Sequence, residues 1–232
     1  MNIIVGIVPS VLLIILFLLN DKNLYKRKII TIVLLLILGG IGSYISYRFE
    51  MHYGSFFKKV KDSNYFEIVF YAIFGVAIFE EGYKWFITCL VSMFSKIKNS
   101  YDLVTYSVFT SIGFLTFENI VYYVIPYGLD TAISRLFTSI PSHICFSIIM
   151  GYFLQKGFKT KKINKYLYYL LGCFIPVFVH ALYNSFLYGN KYTNYFEVVF
   201  VIIIIISIII FIKMEKDRRK QKWLFPFLKH LF

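Results

Sequence analysis

Seven apolar runs, each long enough to cross a hydrocarbon core ~30 Å thick, take up most of this sequence. They fall at approximately 3–19, 29–47, 66–94, 103–125, 131–154, 166–188 and 195–212. Lipid offers a backbone no hydrogen-bond partners, so such segments satisfy themselves as helices. The expected fold is all-α: a multi-pass protein of the cell membrane, a polytopic bundle of about seven transmembrane helices. The whole chain, 1–232, reads as one membrane domain, because the loops are too short for a separate soluble one and no internal repeat is visible. Composition agrees. Of 232 residues, 59% are hydrophobic and 16% charged, against about 45–50% and about 25% in soluble domains. An ordinary soluble enzyme is excluded, and so is a disordered chain.

The formal net charge is +13. In a soluble protein that would suggest nucleic acid, but membrane proteins concentrate Lys and Arg in cytoplasmic loops. Here 18 of the 25 basic residues fall in loops 20–28, 95–100 and 155–165 and in the tail after Ile212. Loops 48–64, 127–130 and 189–194 hold 5. This asymmetry places the N-terminus outside and the C-terminus in the cytoplasm, with no nucleic-acid partner. The first run lacks a basic n-region and a small-x-small cleavage pattern, which fits an uncleaved helix rather than a signal peptide. The tail 213–232 is basic with Trp223, Phe225 and Phe227 interleaved, as in a segment lying on an anionic leaflet. Cys89, Cys145 and Cys173 form no C-x-x-C pair, so neither a disulfide framework nor a zinc ribbon is supported.

Ionisable residues at membrane depth are costly and normally face a protein interior or a wet cavity. Runs 1, 2 and 7 hold almost none. The candidates sit in the core 66–188: Glu80, Glu81 and Lys84, then Glu118 with Asn119, then His143, then His180 with Asn184. Each belongs to a small or polar stripe at helical spacing, such as Ser107, Ser111, Glu118 and Tyr122, or Ser139, His143 and Ser147. Four such helices are expected to pack these faces together. Counted inward from the outer end, the groups lie at similar depths, in the outer half to middle of the bilayer.

Carboxylates with imidazoles supply a general base, a general acid and donors for a developing oxyanion. No Ser or Cys stands out as a nucleophile, so activation of a water by Glu is the economical mechanism. A divalent metal such as zinc is compatible, with Glu81, His143 and His180 as candidate ligands, although H-E-x-x-H is absent. Several residues also have blander readings. Glu80 and Lys84 form an i,i+4 pair on their own, and His180 with Asn184 can simply tie helices together. Arg135 is expected to snorkel from the end of its span, and His52 and His230 to be solvated. Buried Glu, Lys and His also build proton relays, so a proton-coupled transporter is the alternative from another class. Transporters usually show inverted repeats and interrupted helices, and neither is evident.

Four motifs carry a family resemblance. Glu80-Glu81-Gly82-Tyr83-Lys84 fits E-E-x-x-K, and Phe114 to Glu118-Asn119 fits F-x-x-x-E-N. Pro141 through His143 and Phe146 to Gly151 is similar to a third motif, and His180 to Asn184 fits H-x-x-x-N. In this order the chain resembles the PrsW intramembrane proteases, relatives of the CAAX prenyl endopeptidases and the Abi bacteriocin-immunity proteins. The resemblance implies peptide-bond hydrolysis, specifically the first cut in a single-pass anti-sigma factor on its extracytoplasmic side. It implies that Glu80 and Glu81 supply the base, that His143 and His180 position water or stabilise the oxyanion, that Glu118 acts as acid or electrostatic support, and that Asn184 orients His180 or donates to the oxyanion. Glu118 stands where CAAX relatives typically have His, which favours the PrsW branch over a CAAX-type or immunity protease.

Overall fold

The computed structural model describes residues 2–20, 22–54, 64–95, 97, 101–188 and 195–228. Among these there is helix and no strand. The helices are α1 (Asn2–Asn20), α2 (Lys22–Gly54), α3 (Tyr65–Tyr71), α4 (Ile78–Phe94), α5 (Asp102–Glu118), α6 (Ile125–Tyr127), α7 (Leu129–Phe137), α8 (Ser139–Lys159), α9 (Ile163–Tyr188) and α10 (Phe196–Leu228). The π-helical turns Ala72–Ala77 and Asn119–Val124 join α3 to α4 and α5 to α6. These make seven rods, the number expected. Five are long and apolar enough to cross a membrane: Ile29–Tyr53, Asp102–Tyr127, Leu129–Lys159, Ile163–Tyr188 and Phe196–Lys216. The chain is a multi-pass membrane protein. The third run, 66–94, is not among the five, because Glu67, Glu80, Glu81 and Lys84 interrupt its apolar stretch. In α1 the apolar helix is the shorter Gly6–Phe17.

Three of the rods are interrupted. Two carry the π turns. The third breaks at Thr138 (φ −115°, ψ −73°), so the predicted run 131–154 is a short α7 set against a long α8. Gly128, at φ +81°, makes the reversal that separates α7 from α6, a conformation favouring a residue without Cβ.

α5 is the central post, with every residue from Leu103 to Leu115 buried. Glycines let its neighbours come close. A Cβ on Gly39 of α2 would stand 2.1 Å from the Thr110 carbonyl oxygen, and one on Gly113 2.1 Å from that of Leu36. Small residues at such crossings are how membrane helices gain packing energy where lipid supplies no hydrophobic drive. Gly151 of α8 does the same against Val104, 2.5 Å from a built Cβ. On the α5–α8 seam, Ser107 Oγ donates to Ser147 O (2.8 Å) and Ser111 Oγ to His143 O (3.1 Å). The polar stripes therefore face inward as their spacing predicts. Lipid takes the rest: α10 exposes Ile202, Ile205, Ile206 and Ile209. Trp223, Phe225, Phe227 and His230 in the tail lie outside the described side chains.

Candidate active site

Successive residues on an α-helix point 100° apart, so Glu80 and Glu81 cannot serve the same space. Behind them, one turn on, lies Lys84. It is fully buried, at 0% exposure. Its ammonium donates to Glu81 Oε1 at 2.7 Å, contacts His143 Nδ1 at 2.9 Å and lies 3.6 Å from Glu80 Oε2. The ring centre of Phe114 sits 4.2 Å away. A buried ammonium persists only when surrounded this way. Glu81 Oε1 also accepts from His180 Nδ1 at 3.0 Å. That bond places the imidazole proton on Nδ1 and leaves Nε2 with the lone pair. Phe146 stacks on His180 (4.7 Å, 23°) and fixes the ring plane. Both motif phenylalanines thus hold charged or titratable side chains in place.

Glu118 comes from the end of α5. Its Oε1 accepts from Arg135 Nη2 at 2.8 Å, and its Oε2 lies 3.2 Å from His143 Nε2. Arg135 also donates to Asn119 Oδ1 (2.5 Å) and Ser139 Oγ (2.7 Å), and its guanidinium packs over Tyr123 at 3.5 Å. Arg135 therefore does not snorkel. The break at Thr138 lets α7 fold inward, and two polar side chains at Glu118 and Asn119 offer the guanidinium better company than a distant interface.

These side chains open on a cavity of about 600 Å³. Glu80, Glu118, His143, His180 and Asn184 line it, together with Tyr47, Tyr122, Tyr123 and Tyr183. Glu50 of α2 lines it too. Sequence reasoning placed Glu50 in a loop because the apolar run stops at 47. The helix continues to Gly54, two turns further, so the second run contributes an acid after all.

All five residues expected to carry chemistry, Glu80, Glu81, Glu118, His143 and His180, meet in one cluster, and Lys84 joins them. Asn119 reaches the cluster through Arg135. Asn184 lines the cavity, and His180 Nδ1 is bonded to Glu81. Glu81 is buried behind the imidazoles, so the carboxylate grouped with them as a ligand set is Glu80 rather than Glu81.

Residues 28–212 match the family model described as PrsW family intramembrane metalloprotease. The chain belongs to the PrsW family. It is similar to the protein named Protease PrsW of Oceanobacillus iheyensis, 37% identical over 127 residues, covering 54% of this chain and 58% of the relative. Its counterpart in Geobacillus kaustophilus is 35% identical over 133 residues, covering 56% and 57%. That of Clostridioides difficile is 28% identical over 191 residues, covering 78% and 77%. The chain thus spans somewhat more than half the length of the first two of these relatives. No solved structure matches it.

The family description implies a metal ion, and the donor set can be tested for fit. One oxygen of Glu80 and one nitrogen each of His143 and His180 lie within 4.8 Å of one another. Glu80 Oε2 is buried without a hydrogen-bond partner. Two imidazoles with a carboxylate are a common set for hydrolytic zinc. The Glu81–His180 bond is the outer contact that orients a metal-binding imidazole. The residues fit.

Proposed function

We propose that the chain is an intramembrane endopeptidase that hydrolyses a peptide bond in a membrane-anchored protein. The observation that carries this reading is Glu80 Oε2, buried without a hydrogen bond, beside Glu118 and two imidazoles at one cavity. Glu80, His143 and His180 would hold a divalent cation such as zinc, which supplies Lewis acidity toward the scissile carbonyl when bound. Glu118 then takes a proton from the attacking water at Oε2 and returns it to the leaving amide nitrogen. Arg135, at Oε1, keeps that carboxylate charged and aimed. Glu81, itself held by Lys84, orients the His180 imidazole through Nδ1.

The substrate class inferred is a single-pass regulatory protein. The family resemblance narrows it to first-site cleavage of an anti-sigma factor on the outer side, consistent with the basic-loop asymmetry. The test compares membrane proteins of the wild-type strain with those of Glu80→Gln, Glu118→Gln and His180→Ala strains at equal enzyme levels. A single-pass protein should persist uncut in all three. Full cleavage in the Glu80→Gln or His180→Ala strain would overturn the reading. Metal analysis of the purified protein should find close to one equivalent of zinc or a similar ion, lost in His180→Ala.

A further inference from the structure

The wall of the cavity opposite the acid cluster is made by the C-terminal half of α2. Around Gly39 and Gly42, one face of α2 is closely packed: Gly39 meets the Thr110 backbone, the Tyr83 ring covers Gly42, and Tyr83 Oη donates to Leu38 O at 3.0 Å. From Ser43 onward the helix faces open space, and Ser43, Ser46, Tyr47 and Glu50 line the cavity. Counted at 100° and ~1.5 Å per residue, these four form one narrow strip roughly 10 Å long.

Ser43 and Ser46 are each 2% exposed, yet neither hydroxyl has a hydrogen-bond partner. Among the described buried Ser and Thr hydroxyls that is exceptional. Thr105, Ser107, Thr110, Thr116, Ser147, Ser185 and Ser207 each return the hydroxyl to a carbonyl three or four residues earlier, the usual recourse of a helical hydroxyl. Across the cavity, Tyr122 Oη is also without a partner. Its ring stacks on Tyr47 at 3.9 Å and 15°, bridging α2 to the π turn Asn119–Val124.

A peptide bond is open to attack only where the substrate chain has left its helix. Inside a bilayer the N–H and C=O groups so released need partners. Hydroxyls both donate and accept, so they serve either backbone group without reading a side chain. We propose that Ser43 and Ser46, with Tyr122 Oη opposite, form the strip that receives the unwound backbone of the substrate's membrane segment beside Glu80. The inference rests on the protease reading and deepens it. The strip selects substrates by how readily their helix opens rather than by a side-chain sequence.

The test uses the full chain, purified and placed in phosphatidylethanolamine–phosphatidylglycerol vesicles. Two synthetic single-span peptides serve as probes, one with an unbroken Leu/Ala core and one with a central Gly-Gly, each with a cysteine beside the centre. Ser43→Cys, Ser46→Cys and the lipid-facing Ile41→Cys are made in the Glu80→Gln background. Disulfide adducts are located by peptide mapping, which separates them from any on Cys89, Cys145 or Cys173. Capture of the Gly-Gly peptide at Ser43→Cys and Ser46→Cys should exceed that of the unbroken peptide about tenfold, a preference near one strong hydrogen bond. Ile41→Cys should capture the two alike. A yield at Ser46→Cys that is equal for the two peptides, or no higher than at Ile41→Cys, overturns the strip. Cleavage by the wild type is read in parallel. Preferential capture without cleavage overturns the hydrolytic reading and leaves the strip standing, whereas cleavage without preferential capture does the reverse. The Ser43→Ala/Ser46→Ala double variant should raise KM for the Gly-Gly peptide about tenfold with kcat little changed and thermal unfolding unaltered. Unchanged KM overturns the strip.

Discussion

Two polar faces of the bundle look alike in sequence and behave in opposite ways. The seam between α5 and α8 is lined by Ser107, Ser111 and Ser147, and there each hydroxyl is bonded, to its own helix, to the neighbouring one, or to both. The C-terminal half of α2 carries Ser43 and Ser46 at the same kind of spacing, equally buried, with nothing to bond. The first seam is finished inside the protein and holds helices together. The second is unfinished, which is the condition of a surface that waits for another molecule. Burial and residue type do not separate these two roles, but hydrogen-bond closure does.

Substitutions can break this contrast, and their expected costs differ in size. Lys84→Met should cost the most, because it strands Glu81 without its cation in a dry interior. A loss of about 3–5 kcal/mol is expected on removing one partner of a buried pair, measured by thermal or denaturant unfolding in detergent. Arg135→Gln comes next, at about 1.5–3 kcal/mol, the scale of a hydrogen bond to a charged group. Restored stability in Arg135→Gln combined with Glu118→Gln would show that the pair, and not α7 packing, carries the loss. On the closed seam, Ser107→Ala should cost about 0.5–1.5 kcal/mol. Ser43→Ala should sit within about 0.5 kcal/mol of the wild type, because its hydroxyl has no hydrogen bond to lose. Should Ser43→Ala destabilise as much as Ser107→Ala, the two faces would be equivalent and the contrast would fail.

The helical bundle was legible because apolar length is a one-dimensional property. So was the cluster, because polar groups placed at matching depths on adjoining helices have few other places to go. What stayed hidden depended on small departures from that regularity. Glu50 was invisible because hydropathy falls off at Tyr47 although the helix continues to Gly54. Arg135 looked like a terminal, snorkelling residue because nothing in 131–154 announces the break at Thr138. Which of the adjacent Glu80 and Glu81 faces the cavity could not be told either. A helical wheel gives the 100° between them but not its zero, which the π turn at Ala72–Ala77 helps to set.

Those π turns carry a consequence of their own. Each holds one residue more than an α-helical turn would, a form found mostly as single-turn bulges at functional sites. One precedes Glu80 and the other directly follows Glu118, so each acidic motif is joined to the remainder of its rod through a turn that can take up or release a residue. Length changes beyond these turns, in α3 or in α6, can be absorbed without rotating either glutamate. The part of the molecule that meets its surroundings is in this way free to drift while the acid–imidazole arrangement keeps its register.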